Sequence, residues 1–408
     1  MLDIRFIREH SDEVRESVRR RGLKVDIDGL LELDKKRVSL QQQSDELRSK
    51  LKTSGRPSED ELKKLQSTKA EFEKVDGEHS EVSEKYKGLL WQVPNLIADG
   101  TPDGGEEANR PEKTSGGLPK FDFEPLDHLA LNKKLDFVDF EAGSKVAGSK
   151  FYFLKDKAVR LEWAVNTLAM KLLREEGFAM MAVPHLVTEH MLDGTGFAPR
   201  GEEDQIYKIE GEDLHLIATA EISLTGMLAG DIIDIDKPHK YAGFSPCYRK
   251  EAGAYGKFSK GLYRVHQFDK LEMYIFCKPE ESEQMLASIL AIEEKLCQAL
   301  EIPYRLVRIA AGDLSAPAYK KYDIEYWSPT DKDYKELTSC SNCTDYQARR
   351  LNIRYRTEDG NLAFPHTLNG TAVTSSRTLI ALLENHQTKD GEVAIPKALQ
   401  EYYGADKL

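Results

Sequence analysis

A seven-residue apolar repeat, broken once by a Gly-Pro turn and then resumed, constrains this chain more than any other feature. Leu33, Leu40 and Leu47 lie seven apart, with Leu51 four further on. After Ser54-Gly55-Arg56-Pro57-Ser58-Glu59-Asp60 the repeat returns as Leu65, Phe72, His79, Tyr86 and Val93, and Val75, Val82 and Leu89 follow its middle members by three. A seam of this period holds one helix face against a partner helix. Gly and Pro end the first helix, and Ser58 followed by acids suits the cap of the second. The short turn makes the two antiparallel neighbours over about residues 28–93, the longer one about 50 Å long at ~1.5 Å per residue. Ile4, Ile7, Val14 and Val18 predict a short helical cap ahead of this arm.

Outside the expected seam lie Lys35, Lys36, Arg37, Arg48, Lys50, Lys52, Arg56, Lys63, Lys64, Lys69 and Lys74. From Arg48 to Lys64 six of these bases meet only Glu59, Asp60 and Glu61, but charge balances along the rest of the hairpin. The pattern therefore fits a solvated dimerisation coiled coil as well as an RNA-binding arm. A net charge of −12 restricts any nucleic acid to a local positive face. Five cysteines in 408 residues give no disulfide framework. No apolar run approaches the ~18 residues of a membrane span. Met1 to Glu9 carries charge where a secretory leader is apolar, so a cytoplasmic location is expected.

Residues 95 to about 120, including Asp99-Gly100-Thr101-Pro102-Asp103-Gly104-Gly105, read as a linker. This divides the chain into 1–105 and 106–408. The second part alternates helical segments (Ala158 to Glu176, closed by Gly177; Gln284 to Leu300) with strands (Met180 to Pro184, and long runs over 241–276). It is an α+β domain around an antiparallel sheet. Neither a G-x4-GK[ST] loop nor a G-x-G-x-x-G turn occurs, so a nucleotide would be held by side chains.

Two constellations carry chemistry. In the first, Cys247 to Glu251 and Gly261 to Glu272 are extended runs flanking a Gly- and Lys-bearing loop. Residues two apart on a strand share a face. Arg249 and Glu251 then point one way, and Arg264, His266, Phe268, Lys270 and Glu272 form one face if that run is regular. Such a face is either a solvent face with ion pairs or a floor for a charged planar ligand, with Arg forks for phosphate or carboxylate. In the second, Asn369 to Arg377 leads into a helix whose apolar face is Leu379, Leu382, Leu383 and His386, with Ser375 as the cap. Arg377 in the first turn opposes the helix dipole, which fits an ordinary exposed Arg or a neighbouring anionic ligand.

Five features in register are highly specific together: the heptad arm, Thr219-Ala220-Glu221, Arg249-Lys250-Glu251, Glu336-Leu337-Thr338-Ser339-Cys340-Ser341-Asn342, and Asn369-Gly370-Thr371 through Arg377. Over nearly the whole chain they resemble the class II aminoacyl-tRNA synthetases, specifically the seryl-tRNA synthetases. The resemblance implies a class II antiparallel sheet flanked by helices, with an N-terminal antiparallel two-helix coiled-coil arm. It implies a homodimer whose interface is built near Leu168 to Pro184.

It also implies a nucleotide site for ATP and Mg²⁺. Arg249 would hold the α-phosphate, with Lys250 beside it, Glu251 would bind the adenine amino group, and Phe268 would stack on the ring. Glu336-Leu337-Thr338-Ser339 would flank the nucleotide, Glu336 and Ser339 would hold the metal, and Arg377 would grip the γ-phosphate side. Arg249 and Arg377 are thus the catalytic candidates. L-serine would be bound by Thr219, Ala220, Glu221, Arg249, Glu272, Asn369 and Thr371. Glu272 would accept its hydroxyl, and Thr371 stands where bacterial relatives often have Ser. The partners implied are tRNA(Ser) and, as a second expectation, tRNA(Sec). The arm would lie across the tRNA elbow and long variable arm and serve the other subunit's site, and Gly253 to Lys260 would meet the acceptor end. Cys340-x-x-Cys343 is at most half a zinc site. Two other readings stand beside this one: an amino-acid:carrier-protein ligase on the same domain, and a non-catalytic coiled-coil protein.

Overall fold

The computed structural model describes residues 1–52, 58–197, 205–251 and 260–408. Arg56 at the arm tip and 253–259 of the expected acceptor-end loop lie outside these. The chain forms two compact units, Met1–Leu96 and Ile97–Leu408.

In the first unit, α1 (Ile4–Glu9) and α2 (Ser11–Arg20) precede α3 (Ile27–Lys50) and α4 (Glu59–Gln92). Ser58 caps α4 reciprocally with Glu61: its hydroxyl accepts the Glu61 N–H, and the Glu61 carboxylate accepts the Ser58 N–H at 2.7 Å. Leu40, Leu47, Val82 and Tyr86 are buried in the seam, and Leu33, Leu65, Phe72, Val75, His79 and Leu89 are half-buried. Ile7, Val14 and Val18 close the base against Ile27, Leu30 and Leu90. Two bases expected outside the seam cover it instead. The guanidinium of Arg37 lies 4.7 Å from the Tyr86 ring centre, and that of Arg48 lies 5.5 Å from Phe72. A long aliphatic stem lets Arg shield apolar surface while its charge reaches water. Arg37 also joins Arg8 in bracketing the buried carboxylate of Asp34.

The second unit is organised by an eight-stranded sheet: β1 (Arg110–Ser115), β2 (Ala179–Ala182), β3 (His239–Tyr248), β4 (Gln267–Cys277), β5 (Tyr304–Arg308), β6 (Lys320–Ser328), β7 (Asp333–Asn342) and β8 (His366–Thr374). Their order is β1-β5-β6-β7-β8-β4-β3-β2, antiparallel throughout except for the β2–β3 pair. Five helices matter to the site: α5 (Lys157–Glu175), α6 (Ala220–Gly226), α7 (Ser282–Ala299), α8 (Tyr346–Arg350) and α9 (Ser375–Asn385). The alternation of β4 assigns the two faces. Leu271, Met273 and Ile275 join the main core with α5, α7 and α9, whereas Tyr274 and Phe276 pack in a second core with residues of α6 and α8. Phe268, Lys270 and Glu272 continue the second face towards the start of the strand.

Several expectations are corrected here. The presumed linker is structured: Ala98 N–H donates to Tyr319 O, Gly312 N–H donates to Gly104 O, and β1 is an edge strand paired with β5. The division falls at 96/97, nine residues before the expected one. An exposed polar edge strand beginning Arg-Pro carries no apolar alternation to betray it. Thr374, not Ser375, is the residue preceding α9, and Ser375 is buried inside its first turn. Helix α9 is buried on every side except at Arg377.

Candidate active site

A cavity of about 590 Å³ opens on the second face of the sheet. The strands that bound it are spliced by two bulges, and these decide which side chains enter. Glu336 and Ser339 are three apart, so a regular strand would point them to opposite faces. In the register, however, Glu325 faces Glu336, Ile324 faces Thr338 and Asp323 faces Ser339, which leaves Leu337 as an extra residue. Cross-strand partners point the same way, and Asp323 and Glu325 share a face, so Glu336 and Ser339 do too. In β8 the register steps from Thr371–Glu272 to Val373–Leu271, which makes Ala372 the extra residue. Thr371 and Thr374 then both line the cavity.

Glycine at 370 presses this stretch onto α7: a Cβ there would stand 2.3 Å from Ile289 Cγ2 and 3.1 Å from a Glu293 carboxylate oxygen. Gly370→Ala is therefore expected to cost about 1–3 kcal/mol by overpacking, read as a lowered midpoint in denaturant unfolding. An unchanged midpoint would show that α7 yields.

At one end of the cavity Thr219 caps α6, its hydroxyl accepting the Glu221 N–H at 3.2 Å. Glu221 is buried, and its Oε1 accepts from Gln347 Nε2 at 2.7 Å and Asn369 Nδ2 at 2.9 Å. Gln347 is itself saturated: its oxygen accepts from Tyr274 and Thr367, and its nitrogen also donates to Thr195 O. Burial, aided by the charge on Glu272, pushes the Glu221 carboxyl up to about 7. Glu272 is buried as well, and its Oε2 accepts from Thr371 Oγ1 at 3.4 Å and lies 2.5 Å from Lys270 Nζ. Burial raises it too, against the pull of Lys270 and Arg249.

At the other end Arg377 Nη1 lies 2.9 Å from Glu336 Oε1. Desolvation in the cavity pushes the Glu336 carboxyl up, although 45% of its side chain is exposed, and Arg377 and Lys321 outweigh that and hold it well below the usual carboxylate range. Between the two ends the Arg249 guanidinium lies 5.2 Å from the Phe268 ring centre. The backbones of Arg249 and His266 are tied by an N–H···O bond of 3.0 Å, and the His266 ring donates to Arg249 O. Glu251 follows at φ +47, a conformation uncommon outside Gly and Asn, and accepts from Arg264 at 3.0 Å.

Thr219, Glu221, Arg249, Glu251, Phe268, Glu272, Glu336, Leu337, Thr338, Ser339, Asn369, Thr371 and Arg377 thus line one cavity. Ala220 and Lys250 do not. Ala220 is core, and a Cβ on Gly243 would meet its methyl at 2.9 Å. His266 leaves the expected strand face because β4 begins one residue later, and its ring instead braces Arg249. Lys321, Gln347, Thr374 and Ser376 escaped sequence reasoning, although the first lies two residues from Asp323 in a run that alternates as a strand. Cys340 and Cys343 are both buried, and Asn369 Nδ2 donates to Cys343 Sγ at 3.7 Å.

Residues 206–386 match the model of the class II tRNA synthetase core domain (G, H, P, S and T), and residues 1–97 match that of the seryl-tRNA synthetase N-terminal domain. The serine–tRNA ligase of Dictyoglomus turgidum is 48% identical, across 100% of this chain and 99% of its own length. The chain belongs to the seryl-tRNA synthetases. That of Treponema denticola is 46% identical over the full length of both. Among solved structures, the seryl-tRNA synthetase of Pyrococcus horikoshii complexed with ATP superposes with a TM-score of 0.92 at 37% identity, covering 100% of this chain and 99% of that one. The cytoplasmic serine–tRNA ligase of Naegleria fowleri in complex with AMP gives 0.87 at 34%, covering 100% and 98%. In this seryl-tRNA synthetase, then, the α+β sheet and the long N-terminal helices are those of the family.

Proposed function

We propose that this enzyme condenses L-serine with ATP to seryl-adenylate and pyrophosphate, and then passes the seryl group to the 3′ end of tRNA(Ser) and of tRNA(Sec). The observation that carries the reading is the charge order of the cavity: two buried carboxylates, Glu221 and Glu272, at one end, Arg249 in the middle and Arg377 at the other. Serine spans the first half. Its ammonium meets Glu221 beside Thr219, its hydroxyl donates to Glu272 beside Thr371 and Asn369, and its carboxylate turns to Arg249. ATP spans the second half, with adenine between Phe268 and Glu251 and the outer phosphates at Arg377.

A serine carboxylate oxygen attacks the α-phosphorus, and the bond to the bridging oxygen breaks as pyrophosphate leaves. Like charge approaches like charge in this step. At an effective dielectric of about 20, each opposite pair at ~4 Å offsets about 4 kcal/mol. Arg249, touching both reactants, therefore lowers the barrier without a base or a covalent nucleophile. In the second step a hydroxyl of the terminal ribose attacks the seryl carbonyl and AMP leaves.

Glu336 and Ser339 fit a hard divalent cation, because both offer oxygen on one face and Glu336 stays ionised. Mg²⁺ held there would neutralise phosphate charge. The unit Met1–Leu96 grips the tRNA, and the enzyme works as a cytoplasmic homodimer. No helix among the described residues is long and apolar enough to cross a membrane.

Serine-dependent ATP–pyrophosphate exchange across the twenty amino acids, followed by charging of total tRNA, tests the reading. A buried carboxylate deprived of its hydroxyl donor is costly, so alanine should be slower than serine by up to about 10⁴–10⁵, and threonine should be excluded by size. Comparable exchange with alanine would overturn the role of Glu272, and failure of tRNA charging after exchange would favour a carrier-protein substrate.

A further inference from the structure

The resemblance accounts for Glu272 but leaves its neighbour unexplained. Lys270 is 6% exposed, lines the cavity, and stands on the same strand face, with Ser245 and Thr374 as its cross-strand neighbours. Its Nζ lies 2.5 Å from Glu272 Oε2, the same oxygen that accepts from Thr371. We propose that Lys270 is a specificity-determining residue of serine activation, whose ammonium holds Glu272 ionised and turns its other oxygen, Oε1, to the substrate hydroxyl. The proposal rests on the serine reading above and deepens it.

Charge balance supports it. Serine arrives as a zwitterion. Its ammonium neutralises Glu221 and its carboxylate neutralises Arg249, which leaves the charge of Glu272 to be met by Lys270. An isolated buried carboxylate would take up a proton instead. Convergence of both donors on Oε2 adds orientation, because a carboxylate fixed through one oxygen presents the other in one direction. An ionised Oε1 takes a charge-assisted bond from a hydroxyl, roughly twice as strong as a neutral one. A neutral acid would carry its own O–H and discriminate less between serine and alanine.

The groups facing Glu272 set the sign of its pH response. Lys270 lies along its own strand, Arg249 and Cys247 come from β3 and its end, Glu221 from α6, and Glu293 from α7 behind the sheet. Lys270 pulls both Glu221 and Glu272 downwards. Removing it must raise both, so a higher pH is needed to ionise them.

The test is exchange kinetics on the full-length enzyme with Lys270→Met and Lys270→Arg, alongside thermal melts. Met is expected to raise KM for serine at least about tenfold and cut the serine-to-alanine ratio by about as much, with KM for ATP within about twofold. The rise of kcat/KM for serine with pH should move to higher pH, and Arg should restore most of the serine KM. An unchanged serine KM and ratio in the Met variant, or equal losses for serine and ATP, would overturn the proposal. Should the Met variant melt early, Lys270→Gln is read by the same criteria. Absence of serine exchange in the parent enzyme would instead overturn the serine reading.

Discussion

Arg249→Ala should abolish serine-dependent ATP–pyrophosphate exchange, lowering kcat/KM by about 10³ or more. The expected size comes from position. Among the described residues, Arg249 stands between the carboxylate end of the cavity and the Arg377 end, so it can meet both the attacking carboxylate and the α-phosphate. Arg377 has Glu336 as a standing partner at 2.9 Å, whereas among the described residues the polar contact of the Arg249 guanidinium is a long one, 3.5 Å to Ala218 O. Its loss should therefore cost little folding energy, and the thermal midpoint should stay within a few degrees. Lysine should recover only part of the rate, since a point charge replaces a planar fork that spans two acceptors. If Arg249→Ala kept exchange within tenfold of the parent, the repulsion between the reactants would have to be relieved elsewhere, and the proposed division of the cavity would fail.

What the sequence reveals and conceals here follows from the range of each interaction. The arm was legible because a seven-residue period and a Gly-Pro break are local, repeated signals. Strands β2, β3 and β4 were legible as local extended runs near Met180 to Pro184 and over 241–276, whereas β6, β7 and β8, nearer the middle of the sheet, were not read as strands. Glu336 and Ser339 could be paired only through a family likeness, because their shared face depends on Leu337 being squeezed out of the β6–β7 ladder, a property of two strands at once. Gln347 was hidden more deeply. It fixes Glu221 by satisfying four groups from four different segments, and nothing in its own helix marks it. Gly, Pro and acids signal a linker only when their backbone groups face water, and those of Pro102 and Gly104 bond Ala311 and Gly312. Arg37 and Arg48 were assigned to solvent from charge, although an aliphatic stem can serve the seam and a guanidinium an aromatic face.

Shortening the arm should separate the two reactions. Ser44 donates to Asp76, and Arg48 covers Phe72, so residues whose numbers sum to about 120 lie opposite one another. Deleting 39–81 and joining Val38 to Val82 through a short Gly-Ser turn therefore keeps both helices in register. It retains the base cluster of Ile7, Val14, Val18, Ile27, Leu30, Tyr86 and Leu90, which closes the first unit. The sheet, both bulges and every residue lining the cavity belong to Ile97–Leu408. Exchange should stay within about twofold of the parent. Charging of tRNA should fall by about 10² or more, because the deletion removes Arg48, Lys50, Lys52, Lys63 and Lys64, and each phosphate neutralised by such a base adds to affinity through counterion release. The parent's charging should weaken steeply with salt and the variant's residual charging much less so. Loss of exchange together with charging would make the arm a requirement of the fold, and undiminished charging would move the tRNA grip to the second unit.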